Sequence, residues 1–252
     1  EAKQIGDFKE SISLNEHLRG TKRTLQYRPD GDEFVCVNGK NRYTRALYGS
    51  HSPFRVETSD RPVFAFYNNG RGGNISFKVI LRDGTELALD CTGHCESRYS
   101  AGKRTYYLTD PSWGKGELRI SVLALADMDG AIWRFSPSNM PKGAILRWQH
   151  GGATGKRLSR NGDMGVDPAD CFELPVEATD LVTGELPLQK EVYLVRGEVP
   201  EDYNVRKLYQ QAEAASLALA SHLKIETPDP YLNTLGGALV AAADGIWDGQ
   251  VW

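Results

Sequence analysis

Between about residues 20 and 195, short runs of Val, Ile, Phe, Tyr and Leu are interrupted by Gly, Pro, Asn and Asp roughly every ten residues, the spacing of strands in a sandwich or barrel. Thr24–Arg28, Glu33–Val37, Val63–Tyr67, Asn74–Leu81, Glu86–Cys91, Arg104–Leu108, Glu117–Ala124, Ala131–Ser136, Ala144–Gln149, Cys171–Pro175 and Glu191–Arg196 are such runs. The run before Asp83 splits into two faces, Ser76/Lys78/Ile80 against Phe77/Val79/Leu81, the period-two signature of a strand buried on one side. The pairs Asp30-Gly31, Asn38-Gly39, Asp83-Gly84 and Asp129-Gly130 read as hairpin turns, with type I′ geometry expected at Asp83-Gly84. The prediction is a mainly β fold: a large antiparallel β-sandwich over residues 21–200, preceded by an arm over 1–20.

The pattern then changes period. Asp202 to Leu223 contains neither Gly nor Pro, and Val205, Leu208, Ala212, Ala215, Leu219 and Leu223 keep a helical stripe. It reads as a linker helix of about six turns within residues 201–226. Asp229-Pro230 opens a second helix with a cap residue followed by Pro at a first-turn position. Leu232, Leu235, Leu239, Val240 and Ala243 follow at helical spacing, and the stretch closes on Trp247 and Trp252. An apolar helix and two tryptophans with little chain left to cover them predict that residues 227–252 are the first helix of a truncated α-helical domain.

Composition narrows the function classes. Hydrophobic residues make up 40% and charged residues 25% of 252 positions, ordinary for a globular protein. A net charge of −3 argues against a nucleic-acid partner, and no run reaches the ~18 apolar residues of a membrane span. Cys91-Thr-Gly-His-Cys95 offers three zinc-ligand types but no fourth, which leaves a small disulfide or free thiols as the default. Asp163, Asp167 and Asp170 sit in a Gly-containing loop of a kind that can hold calcium. That loop lacks the twelve-residue calcium-loop pattern, and Asp is also an ordinary turn residue, so no cofactor is assigned and calcium stays open.

Trp113, Trp133, Trp148, Tyr99, Tyr106 and Tyr107 are candidates for a sugar-stacking platform, against the plainer reading that they fill the core. Arg71 and Arg98 are candidates to meet an acidic sugar, against the reading of solvated charges. Asp244 and Asp248 lie one helical turn apart, but a pair at that spacing is not by itself a glycosidase acid and base. No nucleophile-elbow or zinc-protease motif is present.

Three stretches carry a resemblance: Leu25-Gln-Tyr-Arg-Pro-Asp-Gly-Asp-Glu-Phe34, Asn41-Arg-Tyr-Thr-Arg-Ala-Leu-Tyr-Gly49 and Gly70-Arg-Gly-Gly73. Together with Gly151-Gly-Ala-Thr-Gly-Lys156, Asp163-Met-Gly165, Phe172-Glu-Leu174 and the Pro-Asp-Pro-Tyr-Leu helix start, the order resembles the N-terminal β-sandwich domain of bacterial exported six-hairpin, or (α/α)6-barrel, glycosidases. The resemblance implies a periplasmic or cell-surface location, a carbohydrate partner, and a catalytic pair housed in a helical domain beyond this chain. It assigns no catalytic residue here. The substrate-edging candidates are His150, Asp163, Asp167, Trp247 and Asp248. The competing readings are an autonomous carbohydrate-binding module and a purely structural sandwich.

Overall fold

The computed structural model describes residues 26–40, 45–49, 51–52, 54–68, 71–151, 181–247 and 250. These form two antiparallel seven-stranded sheets and two helices. In the first sheet, the strands run β1 (Arg28–Asp30), β2 (Glu33–Val37), β8 (His94–Ser100), β9 (Lys103–Thr109), β10 (Glu117–Ala124), β11 (Gly130–Ser138), β14 (Val192–Gly197). The second sheet runs β13 (Val182–Pro187), β12 (Ile145–Gly151), β6 (Arg71–Ile80), β5 (Phe64–Asn68), β4 (Arg55–Thr58), β3 (Arg45–Leu47), with β7 (Glu86–Ala88) also paired to β6. The helices are α1 (Val205–Ala220) and α2 (Pro230–Gly245).

The alternation read from the sequence is the alternation of the sheets. Ile75, Phe77 and Val79 of β6 face the core, while Ser76, Lys78 and Ile80 face outward. Phe64 sits at the centre, edge-on to Phe77, Tyr106 and Trp133 with ring centroids 5.9, 5.7 and 5.6 Å apart. Phe64 and Phe77 come from the second sheet, Tyr106 and Trp133 from the first, so the two inner faces interdigitate through aromatic edges.

A polar group is also buried. The Arg104 guanidinium donates to the Ser59 carbonyl at 2.9 Å and lies 3.5 Å from the Asp60 carboxylate, both side chains fully enclosed. Tyr106 donates to the same Ser59 carbonyl at 2.7 Å, and Tyr27 donates to Asp60. Arg61, next in the chain, ties the Gly39 and Thr92 carbonyls together.

The first sheet has a half-covered outer face. On β10, Ser121 and Leu123 point outward yet are buried, because α1 lies over them; Leu123, Leu125 and Ile132 pack there with Tyr209 and Ala212. The Asn204 side chain accepts from the Lys207 amide and starts α1. Ser216 donates to the Ala101 carbonyl at 2.6 Å and Lys103 pairs with Glu213 at 3.1 Å, so α1 is pinned to the β8–β9 turn. α2 is held by Thr234, whose hydroxyl reaches the Gly31 carbonyl at 2.8 Å, and by Leu235 and Ala238 packed on the core. A Cβ on Gly237 would stand 3.2 Å from the Ala101 and Ala220 side chains, so its bare backbone permits the close crossing.

Several expectations are corrected. The predicted run Glu86–Cys91 is a strand only to Ala88; Leu89–Cys91 then turns once as a 3₁₀ segment, closed by the Thr92 hydroxyl on the Leu89 carbonyl, and buries Leu89. Strands β3, β4, β8 and β13 carry no matching apolar run in the sequence. β4 and β8 turn Glu57 and Ser97 into buried positions, which erases the apolar period. The linker helix is sixteen residues long rather than six turns, because the Asn204 cap and the Ser221 end fix it from both sides. The Asp83-Gly84 turn is not type I′: Leu81 and Thr85 are hydrogen-bonded around a three-residue loop in which Gly84 alone has positive φ, at 88°. Thr24, Leu25 and Cys171–Pro175 lie outside the described residues.

Gly84→Val should still destabilise the fold by about 1 kcal/mol or more in urea unfolding, since a β-branched residue resists positive φ. Asp60→Ala strands the enclosed Arg104 charge and should cost about 3–5 kcal/mol, read as a fall in the urea midpoint with an unchanged slope.

Candidate functional site

A cleft of about 540 Å³ opens between the sandwich rim and the two helices. Small side chains shape it: Ala124 and Ala126 from the β10–β11 end, Ala212 and Ala215 from α1, Ala238 and Ala242 from α2. Two glycines set how closely the walls approach. A Cβ on Gly49 would fall 1.9 Å from the Leu125 carbonyl, and one on Gly245 would fall 2.2 Å from the Tyr48 ring. The loop after β3 and the last turn of α2 therefore meet across bare backbone.

The polar side chains of the lining include Arg45, Tyr48, His51, Asp127 and Asp244. His51 Nε2 lies 3.2 Å from Asp244 Oδ1 and links the β3–β4 loop to α2. Both side chains are well exposed, so the pair contributes little to stability, at most about 1 kcal/mol. Arg45 stacks over Tyr27 and Tyr99 at 5.9 and 5.5 Å, which places its charge on the cleft floor beside the buried Arg104 group. Burial pushes the Tyr48 phenol up, and the Glu57 charge adds to it, so Tyr48 stays a neutral donor at ordinary pH. Glu57 is itself raised by burial, an effect opposed by its 2.7 Å hydrogen bond from Arg55.

This set can bind through hydroxyl, imidazole and carboxylate groups, but it does not assemble a nucleophilic triad. Ser52, the hydroxyl next to His51, donates to Asp129 instead. His51, Asp127, Arg45 and Tyr48 were not singled out by the sequence. They sit on short loops and a three-residue strand, and only the tertiary docking of α2 brings them together.

Of the five substrate-edging candidates, the described residues include His150 and Trp247. His150 lies at the end of β12, where its Nδ1 accepts from Arg196 Nε at 2.9 Å, stitching the second sheet to β14 of the first. That bond gives the ring a structural task. Trp247 is half-buried just past α2, its amide donating to the Asp244 carbonyl. Neither residue lines the cleft. Asp163, Asp167 and Asp248 lie outside the described residues, as does the loop over 163–170 for which calcium was left open.

The aromatic platform is dismantled. Trp113, Trp133, Tyr99 and Tyr106 are buried core residues. Trp148 faces inward, with the Arg196 guanidinium 5.2 Å from its ring centre and the bare Cα of Gly184 against its indole edge. Tyr107 alone is more than a third exposed. Arg98 is not waiting for an acidic sugar, since Asp30, Glu33 and Glu96 surround it at 2.9, 3.1 and 2.6 Å.

Residues 69–200 match a family model described as a domain of unknown function, DUF4450, which takes in just over half of the sequence. The chain belongs to the DUF4450 family. No curated protein matches it. The DUF4450 match starts at the β5–β6 turn and ends before α1, so β1 to β5 and both helices add to the matched stretch.

The DUF4450 stretch also contains Cys91 and Cys95, and the structure separates them. Cys91 is exposed at the 3₁₀ turn, whereas Cys95 points into the core on β8; both are free thiols, as is the buried Cys36. Among the described residues, no cluster of three or more His, Cys, Asp or Glu has metal-site geometry. Burial pushes the Cys95 thiol up to about 12, so it is protonated well above neutral pH. Iodoacetamide at pH 8 should therefore label Cys91 in the native protein and leave Cys95 unmodified even at pH 9, until urea unfolds the sandwich. Peptide mass spectrometry reads the order, and early labelling of Cys95 would contradict the packing described.

Proposed function

We propose that this chain is the non-catalytic, supporting β-sandwich portion of a bacterial glycoside hydrolase, with α2 as the first helix of an α-helical catalytic domain. One observation carries the reading. Leu232, Leu239 and Ile246 follow at seven-residue intervals along α2 and are 46, 47 and 55% exposed, and Leu217 of α1 is 62% exposed. Single exposed apolar residues are ordinary, but a stripe of them beside the Leu235 and Ala238 side chains that already pack α2 onto the core, with Leu239 on the rim of the cleft, calls for a partner. Seven-residue spacing is the seam of helix-on-helix packing.

The glycosidase context is supported by the resemblance of the 25–34, 41–49 and 70–73 stretches, which also supports export to the periplasm or cell surface. In this reading, the acid and base belong to the helical domain, and the rim cleft lies at its border. A second reading, an autonomous carbohydrate-binding module, is favoured by the polar groove on the half of the first sheet that α1 leaves open.

The purified chain should show no turnover of aryl glycosides or plant oligosaccharides. Leu239→Lys with Ile246→Lys should lower the binding of an apolar dye while moving stability by no more than about 0.5 kcal/mol, as exposed substitutions do. The same pair, placed in the whole reading frame, should lower its melting temperature. Turnover by the isolated chain, or a reading frame closing at residue 252, would sink the proposal.

A further inference from the structure

The open half of the first sheet's outer face holds a groove of about 420 Å³, the one that favours the carbohydrate-binding reading above, and the inference drawn from it rests on that reading. The register builds it. Across the strands, Glu96, Tyr107, Arg119 and Ser136 form one row, and His94, Thr109, Glu117 and Ser138 form the next. Directly opposite partners in antiparallel strands share a face, so all eight side chains stand on the outer surface. α1 ends the groove by covering Ser121 one row further on and Leu123 in the row after that.

Arg119 is the arginine that stands in the groove. Beyond the groove, Arg98 is ringed by three carboxylates, and Arg134 stacks 4.2 Å from the Tyr209 ring under α1, its Nε likewise enclosed without an acceptor. Arg119 makes no hydrogen bond or ion pair with the described residues. Its guanidinium is held over Tyr107 at 5.5 Å, a stacked arrangement that leaves its in-plane N–H edges available. Its Nε is enclosed without an acceptor. A half-buried cation with an unsatisfied donor is costly, and such a group needs an explanation in a water, an ion or a ligand. Around it stand acceptors and hydroxyls of the opposite kind: Glu117, Thr109, Ser138 and His94 line the same groove.

We propose that this groove binds a carboxylate-bearing sugar ring, a hexuronate residue. Its carboxylate pairs with the Arg119 guanidinium, and its hydroxyls donate to Glu117 and exchange hydrogen bonds with Ser138 and Thr109. Arg is the side chain suited to a carboxylate, because its fork matches two oxygens at once. A plain anion would satisfy Arg119 but is disfavoured next to Glu117, whereas a hydroxylated acid uses both charges. The site is independent of the helical-domain reading, since no residue of α1 or α2 lines it.

The test is calorimetric or NMR titration of the purified chain with three probes: a galacturonate oligomer, the galactose oligomer of equal length, and inorganic phosphate. The galacturonate oligomer should bind, at least tenfold more tightly than the other two and more weakly as salt rises. Arg119→Gln should reduce that binding at least tenfold and Tyr107→Leu several-fold, with melting temperatures checked for both. Equal binding of the neutral oligomer, or of phosphate, overturns the proposal using the unsubstituted chain alone, whatever the variants do. Undiminished binding by a folded Arg119→Gln chain overturns it as well. Failure here leaves the glycosidase-support reading standing, since that rests on the exposed stripe of α2.

Discussion

Burying Arg104 between the sheets makes one end of this sandwich polar, and much of the surrounding structure answers to that constraint. An enclosed guanidinium is tolerable only when acceptors and a counter-charge are brought to it. The segment Ser59–Asp60 supplies both, so the chain between β4 and β5 must turn inward there. Gly39 backs directly onto Asp60, where a Cβ would lie 2.5 Å from the carboxylate side chain, and Arg61 clamps the Gly39 and Thr92 carbonyls from the same segment. The turn after β2, the turn before β8 and the centre of β9 are thereby locked to one another. Tyr27, held against Asp60 and stacked under both Arg104 and Arg45, carries the constraint outward to the cleft floor.

The helices depend on the same sheet in a different way. Where α1 lies on β10 and β11, outward residues become core residues, and the burial of β10 switches from alternating to continuous. α2 then rests on α1 and on the β1–β2 turn, through small residues and single hydrogen bonds rather than a broad apolar interface. The cleft is the space left between a helix held at a few points and a rim that cannot close on it.

How much of this was legible follows from what each residue buries. The period-two faces of β6, the uninterrupted runs of β10 and β11, and the two helices were all written in side-chain hydrophobicity, because there burial and apolarity coincide. β8 was hidden, since Cys95, Ser97 and Tyr99 are its inward residues and the buried polar group beside them admits small and hydroxylated neighbours. The motif reading of Cys91 to Cys95 missed that a strand begins at His94, which sends the second cysteine to the core. The cleft was illegible for a topological reason: His51 and Asp244 are 193 residues apart, nothing local marks His51, and the sequence paired Asp244 with Asp248 instead. The aromatic residues were legible as a set but not by place. The sandwich absorbs all but Tyr107, which stands on the outer face of its strand between Glu96 and Arg119.

The extent of the family match separates the two concave features. The cleft takes Arg45, Tyr48 and His51 from before residue 69, and most of its apolar wall from helices after residue 200. The groove takes every lining residue from His94 to Ser138, inside the matched stretch. A stretch that forms four adjacent strands of one sheet carries the groove in its own register, needing neither the arm-side strands nor the helices to position a side chain. In this chain the cleft draws its other walls from residues outside the matched stretch, Arg45, Tyr48 and His51 on one side and α1 and α2 on the other. Among the described residues, the groove on the sheet face is built by the matched stretch alone, while the cleft lies where the sandwich meets α1 and α2.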